Sequence, residues 1–460
     1  MKKIVKLLFA VSAILALAAC SSGGSKSEGG SKGTTDTKED KGLEVIGENV
    51  KFDPNKLVNE GKPITIEYWT WNEDEPAVAQ TKEYEKIYPN VKINVKVQPW
   101  DDYWTKLPLS LKGKDGPALF NIHNSQDSTI KPYLAPYDIS IKDLEADFLG
   151  AQTHEENGKI YYTDSLINSG TIYYNKKLWK EAGLSDADIP KTWDQFREVA
   201  KKLTKKDGNK ITQAGFNFNQ EYETMIYGLN YQKGALMFKD DGKSLNFNSD
   251  VTKENTQFLV DLYEKDKVGS KDFGDESSLS FGNGQTAMVY RWGWFQAELQ
   301  NKYKDIDYGV FPTPTFDEEV PFAYDRYNGE STPGINNKQS KEQQAVAQDF
   351  LKFLLAGDQY SIDGALSMGS FPAKKSLAEN EKILADPVLK VLSERVDHLI
   401  WPGAFPSTVE TSAKKAMEDI QFNGMTLDKA LSQGQAQMEK DMKGSEFVSQ
   451  ESKYQYFEEK

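Results

Sequence analysis

Downstream of residue 62 the apolar positions follow two alternating periods. Val91-Lys-Ile-Asn-Val-Lys-Val97 is apolar at every second position, which predicts a half-buried strand. Ile64-Thr-Ile-Glu-Tyr-Trp-Thr-Trp71 is rich in β-branched and aromatic residues and predicts another. A short apolar run after Gly116-Pro117, Ala118-Leu-Phe-Asn-Ile122, predicts a third. Between these strands, 76–88 reads as a helix with proline in its first turn, and 101–112 as a second helix. The order β-α-β-α-β predicts a parallel or mixed sheet with right-handed crossovers. Such sheets bind ligands beyond the carboxyl ends of their strands. Those ends are Trp71-Asn72-Glu73-Asp74 and His123-Asn124-Ser125-Gln126.

Later helices are clearly punctuated. Thr192-Trp-Asp-Gln195 is a capping box opening a helix through Leu203. Ser340-Lys-Glu-Gln343 opens another that runs to Ala356, with Gly357 as its stop. Residues 252–265 form a third amphipathic pattern, and Thr171-Ile-Tyr-Tyr-Asn175 and Thr286-Ala-Met-Val-Tyr290 read as strands. No internal repeat is visible, which argues against a solenoid.

The amino end is patterned differently. Lys2, Lys3 and Lys6 precede an uncharged, mostly apolar run from Leu7 to Ala19. That run is shorter than the ~20 residues of a bilayer-spanning helix, so it reads as the apolar region of a secretory signal. It ends at Leu17-Ala18-Ala19-Cys20, the lipobox pattern in which Cys20 takes the lipid. An ordinary cleavage site beside an incidental cysteine is the alternative. Cys20 is the only cysteine of the chain, and a polar tether follows it directly. Residues 21–42 contain no large apolar side chain and balance four lysines against four acids. Such a segment is expected to be a disordered leash with an r.m.s. reach of ~25 Å. The expected organisation is therefore a signal peptide over 1–19, then lipidated Cys20 and a tether over 20–42.

Composition narrows the function classes. A chain of 460 residues predicts two or three domains. Its 56 Lys+Arg against 70 Asp+Glu argue against nucleic acid as a partner. One cysteine excludes an intrachain disulfide framework. The three histidines, 123, 154 and 398, form no HExxH pattern and no pair at helical spacing, which argues against a His-based metal site. A mean hydropathy of −0.64 excludes a polytopic membrane protein. The folded part shows no GxSxG elbow, no GxxxxGK[ST] phosphate loop and no cysteine nucleophile, so we expect no enzyme and no cofactor. If the protein serves transport, ATP hydrolysis must reside on another polypeptide.

Several segments are similar to one family. Asn157-Gly-Lys-Ile-Tyr followed by Thr171-Ile-Tyr-Tyr-Asn-Lys-Lys-Leu178, Glu181-Ala-Gly-Leu184 with Pro190-Lys-Thr-Trp-Asp194, and Phe281-Gly-Asn-Gly-Gln-Thr-Ala-Met288 carry the likeness. Asp307-Tyr-Gly-Val, Pro312, Pro314 and the stretch from Gly329 to Gly334 complete it. In this order, over nearly all of 62–445, the chain resembles the family 1 extracellular solute-binding proteins, the maltose-binding-protein-like lipoproteins of carbohydrate ABC importers. It departs from the family pattern at Ala118, where the family often has Asp, and at Asp164, where it often has Pro. The resemblance implies an α/β, two-lobe periplasmic-binding-protein-like fold with a hinge between the lobes and a ligand gripped between them. Lobe 1 is expected over 62–166 plus 318–356, and lobe 2 over 171–314 plus 360–445.

A sugar offers hydroxyls that donate and accept, and flat C–H faces, so its site needs aromatic plates and polar side chains. Trp71 ends the first strand, Arg291-Trp292-Gly293-Trp294 follows the Met288 strand, and Trp401 stands in a loop far downstream. A lone tryptophan more often packs in a core. The resemblance moves Trp292 and Trp294 toward a stacking platform, with Gly293 leaving room for a ring. Trp69, Trp179 and Trp193 are assigned to packing. His123, Asn124 and Ser125 read either as a helix-capping loop or, by the resemblance, as ligand contacts, together with Asn72, Glu73 and Asp74 after Trp71. The resemblance also points to Asn168 on a crossing strand, to Glu221 and Tyr222 in a lobe 2 loop, and to Asp325, Arg326, Asn328 and Glu330 in the return segment. Arg326 alternatively pairs with Asp325.

The expected protein is a monomeric, lipid-anchored receptor on the extracellular side of a cell membrane. It would capture an oligosaccharide for an ABC permease with a separate ATPase. The tether and lysine-rich composition suit a Gram-positive surface. A receptor for a peptide or polyol, a surface glycosidase and a structural lipoprotein are the competing readings.

Overall fold

Two sheets organise the residues described by the computed structural model, 42–71 and 75–459. In chain order the strands are β1 (Ile64–Thr70), β2 (Val91–Val97), β3 (Leu119–Phe120), β4 (Asp164–Asn175), β5 (Lys205–Asp207) and β6 (Lys210–Asn217). They continue with β7 (Thr286–Trp292), β8 (Tyr308–Pro312), β9 (Asp325–Ser331), β10 (Gly334–Ile335), β11 (Phe371–Pro372) and β12 (Leu399–Ile400). The signal, Cys20 and the tether up to residue 41 lie outside the described residues.

The first sheet has the order β10-β3-β1-β2. β1 is parallel to β2 and β3, and β10 is antiparallel to β3, so the sheet is mixed. The crossovers are the helices Pro76–Ile87 and Trp100–Ser110. Pro76 stands in the first turn, where its missing N–H would have had no helical partner. Helix Lys341–Ala356 returns to this sheet. Ser340 and Gln343 form its capping box, and Val346, Phe350, Leu351 and Leu354 enter the core against Ile66, Tyr68 and Phe120. Each such side chain contributes about 1.5–3 kcal/mol by leaving water. This core, that of lobe 1, begins before residue 62: Val50, Phe52 and Val58 are buried in it, and Asp147 accepts from the backbone N–H of Val50 at 2.7 Å.

The second sheet runs β12-β9-β4-β7-β6-β5, with β8 and β11 also paired to β4. Both faces are covered. Ile172, Tyr174, Met288 and Tyr290 face one core, which includes helices Trp193–Leu203, Asp250–Glu264 and Ser407–Gln421. Tyr173 and Val289, one position out of phase, face a second with Phe295, Ile362 and Leu389. The larger core of this lobe, lobe 2, extends past residue 445 to Phe447, Tyr454 and Phe457.

β4 joins the two halves. Asp164, Leu166, Ile167, Asn168 and Ser169 pair with β9, while residues 170–175 pair with β7 and β8. Asp164, where the family pattern often has Pro, is fully buried at the start of this strand. It is hydrogen-bonded to His154 Nε2 at 2.9 Å.

Candidate ligand-binding site

The lobe 1 side is an aromatic wall. Helix Trp100–Ser110 places Trp100, Tyr103 and Trp104 three or four residues apart, hence on one face. Trp71, just after β1, meets Trp100 at 5.1 Å and Tyr103 at 5.2 Å edge-on, and Trp104 at 5.7 Å with tilted planes, between ring centroids. His123 meets Trp100 at 5.2 Å with perpendicular planes. Edge-to-face pairs of this kind are worth about 0.5–1.5 kcal/mol each beyond area burial, so the rings hold one another in place. Trp100 remains 42% exposed, and Trp104 Nε1 has no hydrogen-bond partner among the described residues. Burial lowers the His123 pKa below the ordinary histidine value, and the Glu410 carboxylate of lobe 2 partly opposes that shift.

β9 supplies the floor between the lobes, and its alternation sorts the residues. Glu330 faces the cavity beside Trp71, Arg326 lies over Trp292 and Asn328 meets Asn124, while Tyr327, one position out of phase, points to the rear. Asn124 donates from its amide to Asn328 Oδ1 at 2.9 Å and to the Gly329 carbonyl at 3.0 Å, and accepts from Ser331 Oγ at 3.1 Å. Its side chain therefore ties the 124–126 turn to the return strand. Glu330 lines a cavity with Trp71, Glu75, Asn121, Ser165 and Tyr360. Burial pushes both Glu75 and Glu330 up to about 7, and for Glu330 the Glu75 and Asp164 carboxylates add to it.

The lobe 2 side is built by guanidinium groups. Arg291 is ion-paired with Glu221, and both are buried. The guanidinium lies 4.6 Å from the Trp294 ring centroid and 5.1 Å from that of Phe295. Arg326 lies 5.3 Å over Trp292 and 4.6 Å over Tyr227, and donates to Glu410 at 2.9 Å. Cation–π contacts of this kind contribute from about 0.5 to 2 kcal/mol as water is excluded. Trp294 stays 43% exposed. Trp292 Nε1, Arg291 Nε and Arg326 Nε are buried without partners among the described residues. Glu410, which is ion-paired with Arg326, is also the carboxylate whose charge raises the His123 pKa against burial.

Trp71 and Glu330 line one cavity with Glu75 and Asn121, His123 packs on the Trp100 ring beside Trp71, and Arg291, Trp292 and Trp294 make up the candidate lobe 2 part of the site. Glu221 and Asn328 support it through Arg291 and Asn124. Other candidates are placed elsewhere. Asn168 is 1% exposed, and its amide is consumed by the Gly293 N–H at 2.8 Å and Ser370 Oγ at 2.8 Å. Tyr222 is buried in the lobe 2 core with its hydroxyl on Thr256 Oγ1 at 2.8 Å. Trp401 is 6% exposed and stacks on His154 at 4.1 Å behind the hinge strands. Asn72, Glu73 and Asp74 lie outside the described residues, and Ser125 is described only through its backbone, in the turn Asn124–Gln126.

Two local expectations are corrected. Gly293 does not make room for a ring: a Cβ there would lie 1.8 Å from the Gly369 carbonyl oxygen, so backbone approach requires the glycine. The Arg326 guanidinium pairs with Glu410, whereas Asp325 accepts from Tyr290 Oη at 2.7 Å and from the Arg326 backbone N–H. Trp100, Trp104, Glu75, Tyr227 and Glu410 are the residues that sequence reasoning missed. The i, i+4 spacing of Trp100 and Trp104 was the available signal. Among the described residues, no helix is long and apolar enough to cross a membrane.

Two mixed sheets, each packed with helices and linked through β4 and the chain that returns through β9 and β10, define a two-lobe α/β protein. The chain belongs to the bacterial extracellular solute-binding proteins, whose family model matches residues 69–359, well over half of its length. The arabinooligosaccharide-binding protein of Bacillus subtilis strain 168 is 27% identical over 315 residues, 64% of this chain and 70% of that protein. The diacetylchitobiose binding protein DasA of Streptomyces coelicolor is 26% identical over 309 residues, 63% of this chain and 68% of that protein. A solved cyclo/maltodextrin-binding protein complexed with maltotetraose aligns with a TM-score of 0.70 at 20% identity, covering 84% of this chain and 99% of its own. At that identity the likeness shows the shared two-lobe fold.

Proposed function

We propose that this protein is the substrate-binding component of an ABC importer. It captures an oligosaccharide between its lobes and hands it to a permease driven by a separate ATPase. The observation that carries the ligand class is the occurrence of aromatic groups around Trp71 and Trp294 beside the buried Trp104 Nε1, Arg291 Nε and Arg326 Nε donors, which have no partner among the described residues. Sugar C–H faces stack on rings, and sugar hydroxyls accept from indole and guanidinium N–H groups. A ligand that supplies those acceptors removes the penalty of leaving each donor unmade, about 1–3 kcal/mol apiece. The named relatives, an arabinooligosaccharide-binding and a diacetylchitobiose-binding protein, support a carbohydrate ligand. Lipid attachment at Cys20 would hold the protein at the extracellular face of the membrane.

Calorimetric titration of the full chain against arabino-, chito- and malto-oligosaccharide series tests the reading. Binding of one series, with the sugar recovered intact, supports a receptor. Release of shorter sugars would make the protein a glycosidase, and absence of binding to every series would end the carbohydrate assignment.

A further inference from the structure

One edge of lobe 2 carries a feature that neither the core nor the candidate site uses. Between residues 176 and 210 the chain has ten basic residues against six acidic ones, although the whole chain has 56 against 70. Three elements hold them: helix Lys176–Glu181, helix Trp193–Leu203 and the hairpin of β5 and β6. β5 is the terminal strand of the second sheet. Every residue from Lys205 to Lys210 is exposed, so the hairpin tip contributes no side chain to the core.

The three elements share one surface. Lys205 Nζ is ion-paired with Glu181 at 3.0 Å, which sets the hairpin beside the end of the first helix. The Lys202 ammonium favours the charged form of Asp188, in the loop that follows that helix. Several acids are already spent: Glu198 is ion-paired with Lys201, and Asp266 with Arg197 and Lys201. Lys177, Lys180, Lys202, Lys206 and Lys210 are exposed and form no ion pair among the described residues. Lysine on an edge strand keeps that edge from pairing with another chain, which accounts for Lys205 and Lys206. It does not account for Lys177, Lys180 and Lys202, which stand on helices. No large apolar side chain of 176–210 is exposed, so a partner would be held here by charge and not by insertion.

We propose that this lysine-bearing edge of lobe 2 rests on the anionic headgroups of the membrane to which the chain is tied. The inference rests on the anchoring through Cys20 in the proposed function, not on the ligand. A small anion needs donors converging on one point, whereas unpaired lysines spread over three elements suit an extended anionic surface. A tether with an r.m.s. reach of ~25 Å keeps the folded part near the leaflet, so an attraction too weak to recruit a free protein becomes effective. The negative charge of the rest of the chain does not cancel it, because exposed charges more than ~8 Å apart are largely screened at physiological ionic strength. Each lysine close to an anionic leaflet raises the partition about fivefold. Such contact gives the tethered protein a preferred side toward the membrane, which a leash alone does not.

The test uses residues 21–460, which keep both lobes and lack the signal and the lipidated cysteine. The protein is mixed with vesicles of phosphatidylglycerol and phosphatidylcholine in equal parts, or of phosphatidylcholine alone, and bound protein is read by co-flotation at low ionic strength. Binding to the first vesicles and not to the second is expected, with release at about 0.5 M salt. Lys177→Gln, Lys202→Gln and Lys206→Gln together, one from each element, are expected to lower the partition about a hundredfold. Lys142→Gln, Lys338→Gln and Lys341→Gln remove the same charge from exposed positions of lobe 1 and are expected to change it less than about threefold. Absence of binding to the phosphatidylglycerol vesicles, binding that survives high salt, or equal losses from the two triple variants would overturn the assignment. Protein recovered from the cell without lipid on Cys20, read by mass spectrometry, would strike the anchoring alone, since the vesicle assay does not use that lipid.

Discussion

The two walls of the candidate site are both aromatic, but they are held by different forces. In lobe 1, Trp71, Trp100, Tyr103, Trp104 and His123 position one another through edge contacts between rings. In lobe 2, Trp292 and Trp294 lie beneath Arg326 and Arg291, and each guanidinium is fixed by a carboxylate, Glu410 or Glu221. Ring packing distributes the support over many weak contacts. The guanidinium design concentrates it in a few charged groups whose partners are left exposed to large penalties when one is removed.

The sharpest way to break this contrast is Arg291→Met. Glu221 is 7% exposed, and without its partner it becomes an uncompensated buried charge, which costs about 3–5 kcal/mol. Differential scanning calorimetry should show that loss, and adding Glu221→Gln should recover most of it. Trp100→Ala in the other wall should cost less, because this ring is 42% exposed and its support is spread over three ring contacts of about 0.5–1.5 kcal/mol each. Equal destabilisation by Arg291→Met and Trp100→Ala would erase the distinction.

Affinity gives the next largest effect. Trp294→Ala removes a ring that is 43% exposed and offers a stacking surface to a sugar, and should weaken oligosaccharide binding by about 1–3 kcal/mol while the protein stays folded. Trp100→Ala should do the same from the opposite wall. Titration calorimetry on both variants decides whether the walls act together. An unchanged affinity in either removes that ring from the site.

A third expectation concerns protons. Glu330 sits at about 7 in the folded protein, pushed up by burial and by Glu75 and Asp164, against an ordinary value near 4.5. Between these values the folded state holds a proton that the unfolded chain has released. Stability therefore falls as pH rises from about 4.5 to about 7 and stays reduced above it. Glu330→Gln should raise stability by about 1 kcal/mol at pH 8, and by much less at pH 4, in urea titrations. An equal effect at both pH values would mean that Glu330 ionises normally.

What the chain makes legible depends on whether the cause is local. Alternation at Val91–Val97 and the boxes at Thr192 and Ser340 act within a few residues, and the strand and helices stand where those patterns put them. The walls were half legible. Trp71 and Trp292 stand at strand ends, where such sheets carry ligands, but reading the helix as 101–112 left Trp100 outside the face it shares with Trp104. Asn168 and Trp401 depend on partners far away along the chain. Nothing near Asn168 shows that its amide is spent on Gly293 and Ser370, and nothing near Trp401 shows that His154 lies over its ring. Polarity and aromaticity identify what a side chain offers, whereas the fold decides whether that offer is already taken.

Tyr222 puts that last distinction to a quantitative test. It neighbours Glu221, and the family resemblance points to both as ligand contacts, but helix Tyr222–Gln232 turns the ring into the core, where its hydroxyl meets Thr256 Oγ1 at 2.8 Å. Tyr222→Phe keeps the ring and deletes one hydrogen bond, so stability should fall by less than about 1 kcal/mol. Glycan affinity should not change, because the Glu221–Arg291 pair and the Trp294 ring above it are untouched. Urea titration and calorimetry on the same variant separate the two quantities. A loss of affinity larger than the loss of stability would return Tyr222 to the ligand side and show that the lobe 2 wall reaches one residue deeper into that helix.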